Sequence, residues 1–208
     1  MDLQIVYIAT VVICFFVSLL NQKHNEPYFK VFTFLLFVII VVETSGYTIN
    51  KVLKSDNQFL FHIYGPIEYT CIAYIYSSTF KNRIAKKITL FSIFIFIIFS
   101  AFSSLYLQTF TDTPYNFLLR CLLIIGLSLF YFYELYLKDE IIILTKLPMF
   151  WISVGNFFFY AGNFFLMGLI DTLERMHSDL VKPLFNINTI LNIFLYVMFI
   201  VGFLCKRR

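Results

Sequence analysis

The sequence predicts an all-α polytopic membrane protein of seven transmembrane helices, with its N-terminus outside and its C-terminus in the cytoplasm. Three observations lead there. Of 208 residues, 60% are hydrophobic and only 13% charged, about half the charged share of a soluble domain. Seven apolar runs of 18–22 residues recur along the chain, each matching a bilayer core of roughly 30 Å at about 1.5 Å per residue. Finally, the basic residues of the short connections fall unevenly on alternating sides.

The first run, Leu3–Leu20, follows Met1 and Asp2 with no basic leader and no small-residue cleavage site, so it reads as a retained span. The second, Tyr28–Tyr47, is interrupted near its end by Glu43, Thr44 and Ser45. The third, Phe59–Phe80, is long enough to cross yet carries His62, Tyr64, Gly65, Pro66 and Glu68 within two turns. The fourth, Ile88–Leu107, is the plainest, with Ser100, Ser103 and Ser104 gathered at one end. Arg120 lies one turn inside the fifth, Asn116–Leu137. The sixth, Pro148–Leu169, holds Asn156 and Asn163, and the seventh, Leu184–Leu204, holds Asn186, Asn188 and Asn192. Only short loops remain, so residues 1–208 read as a single transmembrane domain. A three-plus-one-plus-three repeat is weakened by the prolines Pro66, Pro114, Pro148 and Pro183, which do not occupy equivalent places.

Charge sets the orientation. Lys23, Lys30, Lys81, Arg83, Lys86, Lys87, Lys138, Lys146, Lys206, Arg207 and Arg208 fall on the side of the C-terminus, against Lys51, Lys54, Arg175 and Lys182 opposite. The excess marks the first side as cytoplasmic. The run from Lys81 to Lys87 is read as a cytoplasmic loop and the last three residues as a membrane anchor; none of these basic segments is patterned for nucleic acid.

On that topology Glu68 lies nine residues below Phe59, roughly 13–14 Å down and near the middle of the bilayer. An ionisable side chain at such depth costs roughly 2.5–3.5 kcal/mol to insert, and faces a bundle interior or wet cavity. Pro66 frees the carbonyl of His62, and Gly65 permits close approach or local unwinding, so the pair is a candidate hinge that presents the carboxylate. Arg120 is the basic residue buried within a span and the natural partner for Glu68 or Glu43; an anionic ligand would compete for it. Tyr64 and Glu68 are spaced i, i+4, as are Asn188 and Asn192, while Asn156, Tyr160 and Asn163 follow at four and three. The candidate site is therefore an outward-facing polar pocket lined by Glu43, Tyr64, Glu68, Arg120, Asn163, Asn188 and Asn192. Those asparagines equally suit plain interhelical hydrogen bonding, worth about 0.6 kcal/mol each.

Other chemistries find little to work with. The histidines number three, with only His62 in a span, and no HExxH, serine elbow or glycine-rich phosphate loop occurs. No lysine sits mid-span in the last helix, where a retinal protein needs one. Asp171, Glu174, His177 and Asp179 in the sixth loop have a mixed spacing that fits a solvated segment better than a cation site. Cys14, Cys71, Cys121 and Cys205 form no CxxC pair and read as buried thiols. No cofactor and no metal site is expected.

The short loops, the Phe/Ile/Asn/Lys-rich composition, IYGPIEY in the third span and FWISVGNFFFYAGNFF in the sixth resemble a group of small seven-span membrane proteins of unknown function frequent in Bacteroidota. The resemblance implies a bacterial inner-membrane address and no particular activity. The reading that follows is a non-enzymatic binding or sensory module in the lipid bilayer. It takes a small polar ligand or ion from outside and signals through a membrane or cytoplasmic partner. The alternative is a small-solute or ion (proton or cation) transporter or channel; an intramembrane enzyme depending on His62 or Glu68 ranks third.

Overall fold

The computed structural model of the chain describes residues 3–21, 28–55, 57–107, 116–138, 143–175 and 181–205. Within them the secondary structure is helical: α1 (Leu3–Asn21), α2 (Tyr28–Lys51), α3 (Gln58–Thr79), α4 (Arg83–Phe102), α5 (Asn116–Tyr136), α6 (Pro148–Arg175) and α7 (Val181–Leu204). A π turn, Ser103–Leu107, extends α4, and a 3₁₀ turn, Leu144–Lys146, precedes α6. Six of these helices are long and apolar enough to cross a membrane; α3 stands outside that set.

Several boundaries differ from expectation: α2 runs on from Tyr47 to Lys51, and α7 starts at Val181 rather than Leu184. α4 begins at Arg83 rather than Ile88, because the Asn82 side chain caps it, accepting from the backbone N–H of Ile84 at 2.8 Å and of Ala85 at 3.2 Å. The basic run from Lys81 is thus mostly helix, not loop. Its long side chains can reach an interface from helical backbone. α6 likewise continues past Leu169 to Arg175, so Asp171 and Glu174 stand on helix; their side chains, with His177 and Asp179, lie outside the described residues.

The chain forms two compact units, Glu26–Arg120 and Met1–Asn25 with Cys121–Arg208. In the first, α3 packs against both α2 and α4. From Glu68 to Ser77, only Thr70 and Tyr74 escape burial. α4 is different: it buries one stripe, Thr89, Ile93, Phe96 and Ser100, and turns Phe91, Phe94 and Ile98 outward at 64–70% exposure. Such an apolar outer face needs lipid as its solvent. α3 is shielded by protein, which is why it tolerates polar residues that would be expensive facing lipid. The α3–α4 seam is closed by Tyr69, whose hydroxyl bonds Ser92 Oγ at 2.7 Å while its ring lies 4.5 Å from that of Phe96. The turn between α2 and α3 passes through Lys54 at φ 50°, and Asn57 Nδ2 donates back to the Gly46 carbonyl at 3.3 Å.

In the second unit, α7 packs against α1 and α6. Tyr7 and Tyr196 meet at 6.0 Å between ring centroids. The α6–α7 seam depends on small residues: a Cβ on Gly155 would stand 2.9 Å from Met198 Cβ, and one on Gly162 would stand 2.6 Å from Leu191 Cδ1. Close backbone approach of this kind supplies van der Waals contact between helices where lipid offers no hydrophobic gain. At one end of the unit the Thr145 carbonyl accepts from Trp151 Nε1 at 3.0 Å and from the Cys205 thiol at 3.4 Å. Burial raises the Cys205 thiol above its ordinary range, partly offset by the nearby Trp151 N–H donor. All four cysteines are free.

Candidate functional site

The site is built within the first unit, where α3, the far end of α4 and the first turns of α5 meet. Glu68 and Arg120 are 7% and 5% exposed. They form an ion pair, Arg120 Nε to Glu68 Oε2 at 3.1 Å. The second carboxylate oxygen, Oε1, accepts from the Tyr64 hydroxyl at 2.6 Å, as the i, i+4 spacing on α3 predicts. Oε1 is thus held by a hydrogen bond and Oε2 by the charge of the guanidinium. The guanidinium carbon lies 5.0 Å from the Phe117 ring centroid and 5.9 Å from that of Tyr64, within the range of cation–π attraction. Removing either member of such a buried pair leaves an uncompensated charge, at a cost of roughly 3–5 kcal/mol.

Gly65 is what lets the arginine in. A Cβ there would stand 2.5 Å from Arg120 Nη1, so the guanidinium rests against bare helix backbone. The candidate hinge takes this form: α3 is continuous helix from Gln58 to Thr79 through Gly65 and Pro66, and the glycine serves close approach. Thr70 Oγ1 donates to the Pro66 carbonyl at 2.7 Å, using an acceptor one turn below.

Two further polar contacts surround the pair. Asn116, 1% exposed, donates through Nδ2 to Ser100 Oγ at the end of α4. Its Oδ1 has no hydrogen-bond partner among the described residues and would lie 3.8 Å from a Gly65 Cβ. His62, 4% exposed, shares a hydrogen bond of 2.7 Å between Nδ1 and Ser104 Oγ in the π turn. A π turn widens the helix and re-aims side chains, a device frequent at functional positions. Asn116, Ser100 and Ser104 were not expected in the site. Their signals were the i, i+4 relation of Asn116 to Arg120 and the serines collected at one end of α4.

Of the expected residues, Tyr64, Glu68 and Arg120 are brought together over Gly65. Glu43 is half-buried on α2, and the shallow depression that follows it in sequence is lined by Thr44, Ser45, Thr48 and Ile49. Asn163, Asn188 and Asn192 belong to the other unit. There Asn163 Nδ2 donates to the Phe159 carbonyl at 3.1 Å, and Asn192 Nδ2 donates to Asn188 O at 3.0 Å and Asn188 Oδ1 at 3.1 Å. These bonds stay within single helices, which corrects the expectation of interhelical bridges for these three. Ser153, Asn156, Tyr160 and Asn163 form one fully buried stripe on α6, each at most 1% exposed.

Among the described residues, no three His, Cys, Asp or Glu side chains gather as a metal site. No protein-family model, curated protein or solved structure matches the chain.

Proposed function

We propose that this protein is a binding or sensory module of a bacterial inner membrane, spanning the bilayer seven times with its N-terminus outside. The observation that carries the reading is the Glu68–Arg120 pair, buried at 3.1 Å on a glycine of the most enclosed helix in its unit. A buried ion pair adds little net stability compared with apolar packing, so its presence is better explained by a state in which the two charges part. A small polar or charged ligand entering from the outer side competes for Arg120 or Glu68. The ligand shifts α3 against α2 and α4, and a membrane or cytoplasmic partner receives the change. The basic excess on the C-terminal side supports this orientation.

The test is a thermal-shift screen of small polar metabolites against the purified protein, run in parallel on Glu68→Gln and Arg120→Ala. A compound that stabilises the wild type and neither variant supports the reading; shifts common to all three sink it. Proteoliposomes decide the transport alternative, for which the same buried carboxylate bonded to Tyr64 is the supporting observation. Proton or cation flux abolished by Glu68→Gln would make the protein a transporter or channel.

A further inference from the structure

We infer that the Glu68–Arg120 site takes a dipolar, net-neutral ligand: a primary ammonium and an anionic group joined by a short spacer, inserted between the two side chains. This rests on the reading above that the pair opens to bind.

Charge balance selects the class. Both side chains lie deep, at 6% and 9% exposure for arginine and glutamate. A bare anion on Arg120 would leave Glu68 a buried carboxylate without its cation. A bare cation on Glu68 would take from Arg120 the carboxylate it is paired with. A dipolar ligand presents its anionic group to Arg120 and its ammonium to Glu68, so every buried charge keeps an opposite neighbour. The surroundings suit that exchange. Tyr64 holds Oε1 at 2.6 Å, so Glu68 stays oriented when Arg120 lets go, and Phe117 and Tyr64 keep aromatic faces toward the guanidinium.

The second observation is Asn116. Its carbonyl oxygen is an acceptor in a residue 1% exposed, without a hydrogen-bond partner among the described residues. It borders the same Gly65 position as Arg120 Nη1. Buried acceptors are rarely left unmet. A primary ammonium has N–H donors to spare after Glu68 takes one, and a trimethylammonium has none. Asn116 is thus the residue that distinguishes the two.

The same chemistry comes from two sources: a free amino-acid-like solute, or a phosphatidylethanolamine headgroup. The experiment separates them. The protein is reconstituted in phosphatidylglycerol nanodiscs, which carry no ammonium, and its thermal unfolding is followed. One arm adds glycine, β-alanine or 4-aminobutyrate; the other replaces part of the lipid with phosphatidylethanolamine. A stabilising shift of several degrees is expected from one source. Acetate or ethylammonium alone should bind at least tenfold more weakly. So should the trimethylated counterparts, glycine betaine and phosphatidylcholine, and Asn116→Ala should erase that last preference while keeping binding. The double variant Glu68→Gln with Arg120→Gln, which leaves no buried charge unpaired, should fold and show no shift. If acetate or ethylammonium alone matches the dipolar probes, the ligand class is wrong while the site stands. If neither source shifts the wild type, the inference falls and the screen above still judges the parent reading. If the double variant shifts as the wild type does, both fall.

Discussion

Arg120 reaches Glu68 by lying against the backbone of Gly65, where an added Cβ would stand 2.5 Å from Nη1. Alanine favours a helix over glycine by about 1 kcal/mol, whereas displacing a guanidinium that is pinned at 3.1 Å to a carboxylate is an overpacking defect of about 1–3 kcal/mol. Gly65→Ala should therefore lower Tm. Gly126→Ala on α5, with nothing within 4 Å of its added Cβ, should leave Tm unchanged or raise it. Equal effects would remove the glycine notch from the account.

The ion pair itself is checked by a double-mutant cycle. Glu68→Gln and Arg120→Gln should each destabilise by roughly 3–5 kcal/mol, since each takes the opposite charge of the pair away from a buried group. Together they should cost far less than the sum, with a coupling energy of about 1–3 kcal/mol. Additive losses in reversible unfolding from detergent would mean that the two side chains do not act as a pair.

At the α3–α4 seam, Tyr69→Phe removes the hydrogen bond to Ser92 and keeps the ring contact with Phe96 at 4.5 Å. A loss of about 0.5–1.5 kcal/mol is expected. Tyr69→Ala, which also gives up the ring packing, should cost about 3–5 kcal/mol. Similar losses from the two would shift the weight from packing to the hydroxyl.

The two α6 glycines should respond unequally to alanine. The Gly155 position meets Met198 Cβ and the Leu195 carbonyl, atoms close to or on the neighbouring backbone, while Gly162 meets the end of the Leu191 side chain. A leucine terminus can rotate aside, and a Cβ cannot. Gly155→Ala should lower Tm by several degrees more than Gly162→Ala.

Orientation is read by labelling. In a background with the four cysteines replaced, Ser55→Cys in the exposed turn after α2 should react with an impermeant maleimide in spheroplasts. Thr145→Cys, equally exposed before α6, should react only after the membrane is opened. The reverse pattern would invert the proposed topology and put the polar end of the first unit on the cytoplasmic side.

The pairing of Glu68 with Arg120 was legible in the chain because charge inside apolar runs is scarce, and each had few possible partners. Tyr64 followed from helical spacing alone. Asn116 was not legible: an asparagine at the first position of a run looks like an end, and its burial depends on which α4 residue it meets. The His62–Ser104 contact needs the relative register of α3 and α4, which no single-helix pattern contains. The early start of α4 was hidden because Arg83, Lys86 and Lys87 look like a loop when judged by charge, although Asn82 before them is a good N-cap. Asn163, Asn188 and Asn192 are placed on their helices as spacing predicts, but their amide groups donate within those helices, an outcome that periodicity cannot distinguish from bridging.

The enclosure of α3 bears on how the protein is made. A nascent chain offers its helices to the membrane one after another, and a helix carrying His62, Pro66 and Glu68 partitions poorly by itself, since a central charge costs roughly 2.5–3.5 kcal/mol. Its counter-charge is late: Arg120 follows Glu68 by 52 residues. On the proposed topology, α3 enters lipid stably only when α4 and the start of α5 have been synthesised to shield and neutralise it. Biogenesis of this unit is then a single cooperative insertion, and a chain that stops short of Arg120 should be one the cell's membrane quality control degrades.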